Sequence, residues 1–345
     1  MPEGVPAWEN GCPWEAAIRK LLKSMPAAGF GVFLAGATAV ASPTIGACPV
    51  FPPDNIWNTR VDSLPVDAYS AQYVASIGAD TKLKPDFGSG LYEGVPIGIP
   101  YVVVLKRTPK VKIVFAPFAN EPDAFGEESD PGPYPVPRNA PIEGGRKSTE
   151  DRHVLVVQLE TCLLYELYKA VPDSSRGGWR AVSGARFDLR GNSLRPDGWT
   201  SADAAGLPIF PGLVRYDEVA AGEIAHALRF TAPKTRASYV WPARHKASQS
   251  DDPALPPLGQ RFRLKADVDI SGFSPASQVI LKALKTYGMI LADNGSPWFV
   301  SGAPDKGWDN DTLQGELGSL KGSDFEAVDS SSLMVDADQA KAKAP

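Results

Sequence analysis

His153–Tyr168 reads HVLVVQLETCLLYELY. Two apolar runs, His153–Gln158 and Cys162–Tyr168, flank a short turn at Leu159-Glu160-Thr161, the pattern of a β-hairpin. The same pattern recurs outward from this stretch. Ile99–Leu105 and Val111–Ala116 are β-branched runs bounded by Pro, Lys and Gly, and Trp179–Val182 with Ala185–Leu189 suggests a further strand pair. Glu223–Thr231 (EIAHALRFT) alternates, with Ile224, His226, Leu228 and Phe230 on one face, and Arg261–Leu264 reads as another strand. Met289–Ala292 and Trp298–Ser301 flank Asn294-Gly295, a preferred hairpin turn. A short helix is expected within Asp67–Ile77, with Ala71, Val74 and Ala75 on one face. One well-formed helix is expected over about 274–287. Ser274 is its N-cap, Pro275 its first position, Val279, Ile280, Ala283, Leu284 and Tyr287 its apolar stripe, and Gly288 its stop. Many strands against one such helix predict a mainly β fold, a β-sandwich or jelly roll with long loops.

The 345 residues carry a net charge of only −5, and no basic block is present, which argues against nucleic acid as a partner. A hydrophobic fraction of 43% against 22% charged residues is enough to bury a sizeable core. The first 47 residues read as an export leader. Arg19, Lys20 and Lys23 precede the uncharged run AAGFGVFLAGATAVA (Ala27–Ala41), which is too short to span a bilayer. Ala39-Val40-Ala41 is a small-x-small cleavage signal that would leave Ser42 first. Ile45-Gly46-Ala47-Cys48 is a competing lipobox that would cut near residue 47 and lipidate Cys48. Either route predicts a secreted, periplasmic or lipid-anchored chain with no transmembrane span once mature. Residues 48–323 are expected to form one β-rich domain, and 324–345, small and polar, a disordered tail. Cys48 and Cys162 are the cysteines outside the leader, and a disulfide between them would exclude the lipid.

Residues that suggest chemistry crowd between Arg195 and His245. Asp197, Asp203, Asp217, Glu218 and Glu223 lie there with His226, His245, Arg244, Trp199 and Trp241; Trp298 follows downstream. Carboxylates near tryptophans suit sugar chemistry: an acid and a base or nucleophile flank the glycosidic bond, and flat aromatic faces stack on pyranose rings. In a hydrolase, two of the five acids would serve. In a lyase, His226 or His245 would take the proton α to a uronate carboxylate that Arg244 neutralises. Asp217 and Glu218 also suit a helix N-terminus, and Asp197-Gly198 a turn. His153, His226 and His245 show no metal-ligand spacing, so no cofactor is assigned. The acidic, proline-rich stretch Glu127–Glu143 (EESDPGPYPVPRNAPIE) is long enough to suggest a role over a site.

The runs GLPIFPGLVRYDEV, GEIAHALRF and YVWPARH, with YGMILADNG downstream, resemble a family of uncharacterised secreted bacterial proteins. The resemblance spans roughly Phe51 to Trp308. It implies export and a single domain, and brings neither activity nor catalytic residues. The expectation is therefore a secreted carbohydrate-active enzyme acting on a polysaccharide or oligosaccharide, hydrolase ahead of lyase. A non-catalytic carbohydrate-binding or cell-surface protein is the alternative, and a metal-dependent oxidative enzyme using the histidines the third.

Overall fold

The computed structural model describes residues 42–344, apart from 93, 119–120 and 174–176. The leader's apolar run and its Ala39-Val40-Ala41 signal lie outside those residues. The opening hairpin forms as expected: β8 (Val154–Gln158) pairs antiparallel with β9 (Leu163–Tyr168), Val156 opposite Tyr165. All five β8 residues are buried, because the strand is covered on both faces. Leu155 and Val157 enter the larger core, whereas Val154 and Val156 enter a smaller one with Tyr134, Tyr165 and Trp179. A strand buried on both sides needs an unbroken apolar run rather than strict alternation.

β6 (Tyr101–Val104) runs parallel to β8, and β12 (Ser183–Asp188) pairs with β9, completing a four-stranded sheet β12-β9-β8-β6. Its outer face is covered by three strands in the order β10-β11-β7: β7 (Ile113–Phe115), β10 (Val171–Asp173) and β11 (Gly178–Ala181). β11 and β12 are thus strands, as expected, but they pair with different partners rather than with each other. The larger core lies against a six-stranded sheet, β17-β14-β15-β13-β16-β3. Its members are β3 (Lys84–Asp86), β13 (Leu228–Ala232), β14 (Arg261–Leu264), β15 (Met289–Asn294), β16 (Phe299–Ser301) and β17 (Phe325–Val328). Two small hairpins remain: β1 (Thr44–Ile45) with β2 (Cys48–Pro49), and β4 (Leu91–Tyr92) with β5 (Val95–Pro96). The mainly β fold therefore stands, with parallel and antiparallel ladders mixed.

Four local expectations are corrected. The Asn294-Gly295 hairpin does not pair its own flanks: β13 lies between β15 and β16, parallel to the first and antiparallel to the second. All five β13 residues are buried, so its backbone needs a neighbour on both edges. The strand starts at Leu228, not Glu223, which leaves His226 in a loop. In α1 (Ser70–Ile77) the buried face is Tyr73, Val74 and Ile77, and Ala71 and Ala75 face outward, because the large side chains take the core. The tail after Asp324 is ordered. It supplies β17 at the edge of the large sheet, and Ala340 and Ala342 are buried, with Ile56 N–H donating to Ala340 O and Ala342 N–H to Asp54 O.

Two further helices, α2 (Tyr216–Ala221) and α4 (Asn310–Leu317), flank the longest, α3 (Pro275–Thr286). α3 starts and stops as read: the Ser274 side chain accepts from Ser277 N–H, and Gly288 turns out at φ 65°. Cys48 and Cys162 form a disulfide, Cα atoms 5.3 Å apart, fastening β2 to the β8–β9 turn. A thioether lipid on Cys48 would require that bond to be absent. Among the described residues no helix is long and apolar enough to cross a membrane.

Candidate active site

The expected acids do not converge. Asp197 is on an exposed turn, where its Oδ1 accepts from Tyr239 OH at 2.9 Å. Asp217 and Glu218 sit in the first turn of α2, and Glu218 Oε1 lies 2.7 Å from Arg215 Nη2. Burial alone would raise the Glu218 pKa, but the charges of His226 and Arg215 more than offset it and hold the carboxyl below its usual range. Glu223 is exposed just beyond the helix. His226 is fully buried between Glu218 Oε2 (3.1 Å) and Ala227 O (2.8 Å). Asp203 gives both oxygens to Arg229, each at 2.7 Å.

The expected tryptophans likewise form no platform among the described residues. Trp298 is buried between Phe230 and Phe325, ring centroids 5.7 and 5.4 Å away, and its Nε1–H donates to Gly78 O. Trp241 donates to Gln339 O, Trp199 lies against the Arg195 guanidinium, and Arg244 is tied to Ala337 O and Asp338. Each is engaged by the protein itself.

What the fold does create is an open cleft of about 660 Å³, walled by β3, the β4–β5 hairpin and the end of the proline-rich loop. Asp86 enters it as the last residue of β3, in register with Ser301 of β16. Glu143, the last residue of the loop suspected of covering a site, lines it too. Tyr92, 68% exposed, stands at the rim. Gly98 forms part of the wall because nothing larger fits: its φ is 109°, and a Cβ there would lie 2.5 Å from Gly302 O.

These two carboxyls are driven apart electrostatically. Burial, and then the nearby charge of Glu143, raises the pKa of Asp86 despite the opposing pull of Arg229. For Glu143, burial is outweighed by the charge and hydrogen bonds of His153, so its pKa falls. His153 Nδ1 lies 2.6 Å from Glu143 Oε2 and its backbone N–H donates to the same oxygen at 3.3 Å. Both contacts use Oε2, leaving Oε1 for another partner. His153 Nε2 lies 3.0 Å from Ala202 O, which can only accept, so that nitrogen carries a proton. Burial would lower the His153 pKa, but Glu143 lifts it to about 9, so the pair is an imidazolium facing a carboxylate.

Behind the cleft, Arg229 joins β13 to Asp203 and donates to Ser301 Oγ at 2.7 Å. Burial and the charge of Asp203 push neighbouring Asp293, 3.5 Å from Arg229, up to about 7. A smaller cavity of about 280 Å³ holds Asp203, Asp293, Tyr168 and His245. It unites two of the expected residues, but Asp203 is consumed by its ion pair. Among the described residues, Glu143, Asp151 and His153 form the one group close enough to share a metal ion, with ligand atoms within 4.8 Å of one another. Both ring nitrogens of His153 are already engaged, so as placed the trio is an ion pair rather than a metal cradle.

Asp86 gave no sequence signal, sitting singly in Lys-Pro-Asp; Glu143 gave a partial one as the end of its loop. No family model, curated protein or solved structure matches the chain.

Proposed function

We propose that this chain is an exported glycoside hydrolase, with Asp86 as the general acid and Glu143 as the base or nucleophile. The observation that supports this is a pair of carboxyls in one open cleft whose surroundings push their pKa values in opposite directions. Such a split assigns the proton donor and the ionised partner of an acid/base pair. Asp86, protonated, would give its proton to the leaving glycosidic oxygen. Glu143, held ionised by His153, would attack the anomeric carbon or activate a water, and Arg229 and His153 would balance the negative charge behind the bond. Tyr92 offers an aromatic face at the rim for a sugar ring. Export rests on the leader read in the sequence and fits the disulfide, which persists in oxidising compartments.

The lyase version has less support: fully buried His226 has no access to a substrate proton, and beside His245 the Arg244 guanidinium is already held by Ala337 O and Asp338. The binding-platform version lacks an exposed tryptophan among the described residues. The test is a panel of polysaccharides read in parallel for new reducing ends and for the ultraviolet absorbance of unsaturated uronate. Reducing ends without absorbance are expected. Asp86→Asn and Glu143→Gln should each lower the rate about a hundredfold or more while leaving the fold intact. Undiminished rates in both variants would reject the assignment.

A further inference from the structure

The cleft continues past Asp86. A second depression of about 440 Å³ shares Lys84, Phe299 and Gln314 with it and runs on beyond Lys82. Each space alone is of a size that holds a small organic ligand, so the two in series make a track rather than a single-ring pocket. The outer arm has a distinct charge. Among the described residues no carboxylate lines it, and two ammonium groups do. Lys84 Nζ donates to the neutral Gln314 Oε1 at 2.9 Å, and neither Lys82 nor Lys84 has an ion-pair partner among the described residues. Lys321, bridged to Lys82 through the backbone, is by contrast paired with Asp80.

From this groove we infer that the substrate is an acidic polysaccharide whose carboxylate or sulfate groups are taken by Lys84 and Lys82 while the bond between Asp86 and Glu143 is cut. The inference rests on the hydrolase reading for the cut, but not for the binding. An anionic chain would be repelled by two ionised carboxyls at the cleavage point. Here burial raises the pKa of Asp86 and Glu143 is balanced by His153, so the repulsion there is reduced and the lysines set the preference. Ammonium groups this accessible to water contribute modestly, each worth a factor of about two to five in affinity, or about tenfold together, and the effect falls with salt.

The experiment is titration calorimetry of oligogalacturonate, a sulfated oligosaccharide and a neutral oligoglucoside of equal length. The full chain carries Glu143→Gln so that nothing is cleaved, with and without Lys82→Met and Lys84→Met. One or both acidic oligomers should bind, and which one does separates carboxylate from sulfate. The lysine substitutions should weaken that binding about tenfold at low salt, with no effect on the neutral oligomer. Equal affinity for the neutral oligomer, unchanged binding after loss of both lysines, or no binding at all would overturn the inference. The two readings separate cleanly. Cleavage of neutral glycans that depends on Asp86 and Glu143 sinks the acidic preference alone, whereas lysine-dependent binding with no cleavage by the unsubstituted chain sinks the hydrolase alone.

Discussion

His153 shows how little a residue's type says about its task. In the sequence it is one of three scattered histidines with no metal-ligand spacing; in the fold it is the charge that keeps Glu143 ionised. The partners are ten residues apart, and no local pattern signals their contact, since it depends on the loop 144–152 folding back. The pair also predicts a pH signature. The folded pKa of His153 lies above its unfolded value of 6.5, so its stabilisation is complete below about 6.5 and is lost as pH rises through about 9. Glu143 is shifted the other way, so its contribution is present above its ordinary value of 4.5 and fades as pH falls. His153→Gln should therefore cost most between those limits, up to ~3 kcal/mol, and the gap to the unsubstituted protein should close toward pH 10. Denaturant unfolding across that range checks it; a gap that stays constant with pH would contradict the ion pair.

Individual elements were legible where one local rule governs them. Ser274, Pro275 and Gly288 marked α3 correctly because capping is settled within one turn of helix. The β8–β9 hairpin was legible for a similar reason, its partners being adjacent in the chain. Pairings between distant strands were not: Asn294-Gly295 is a sound turn signal, yet β13, more than fifty residues upstream, takes the place between its flanks. No local pattern in 289–301 records that competitor. The cleft wall is equally non-local, with Gly98 pressed against Gly302 O. Gly98→Ala must both leave the left-handed region's tolerance and push that carbonyl aside, a cost on the order of 1–3 kcal/mol. Because Gly302 follows Ser301, the partner of Asp86, activity should fall further than stability. Melting temperature and turnover measured on the same preparation would show this, and an active, unshifted variant would contradict it.

At the scale of the molecule, the strand patterns anticipated a mainly β fold and the cysteines offered the disulfide as one of two readings, but polarity misled at the C-terminus. Residues 324–344 carry few large apolar groups, yet they complete the sheet with β17 and satisfy buried donors elsewhere, notably Trp241 Nε1 and Arg244. Deleting 330–344 should leave those groups without acceptors, at about 1–3 kcal/mol each, and lower the melting temperature; an unchanged melt would mean the segment is dispensable. The disulfide closes a sequence separation of 114 residues, so Cys162→Ser should destabilise by about 2–5 kcal/mol, read as the difference between oxidised protein and variant in denaturant midpoints. The parallel pairing of β3 with β16 sets a schedule as well as a shape. Asp86 acquires its sheet neighbour only when Ser301 arrives, so a chain made from its N-terminus carries Asp86 long before that residue is in position. The cleft is thus a late product of folding, complete only once the chain has been made as far as Ser301.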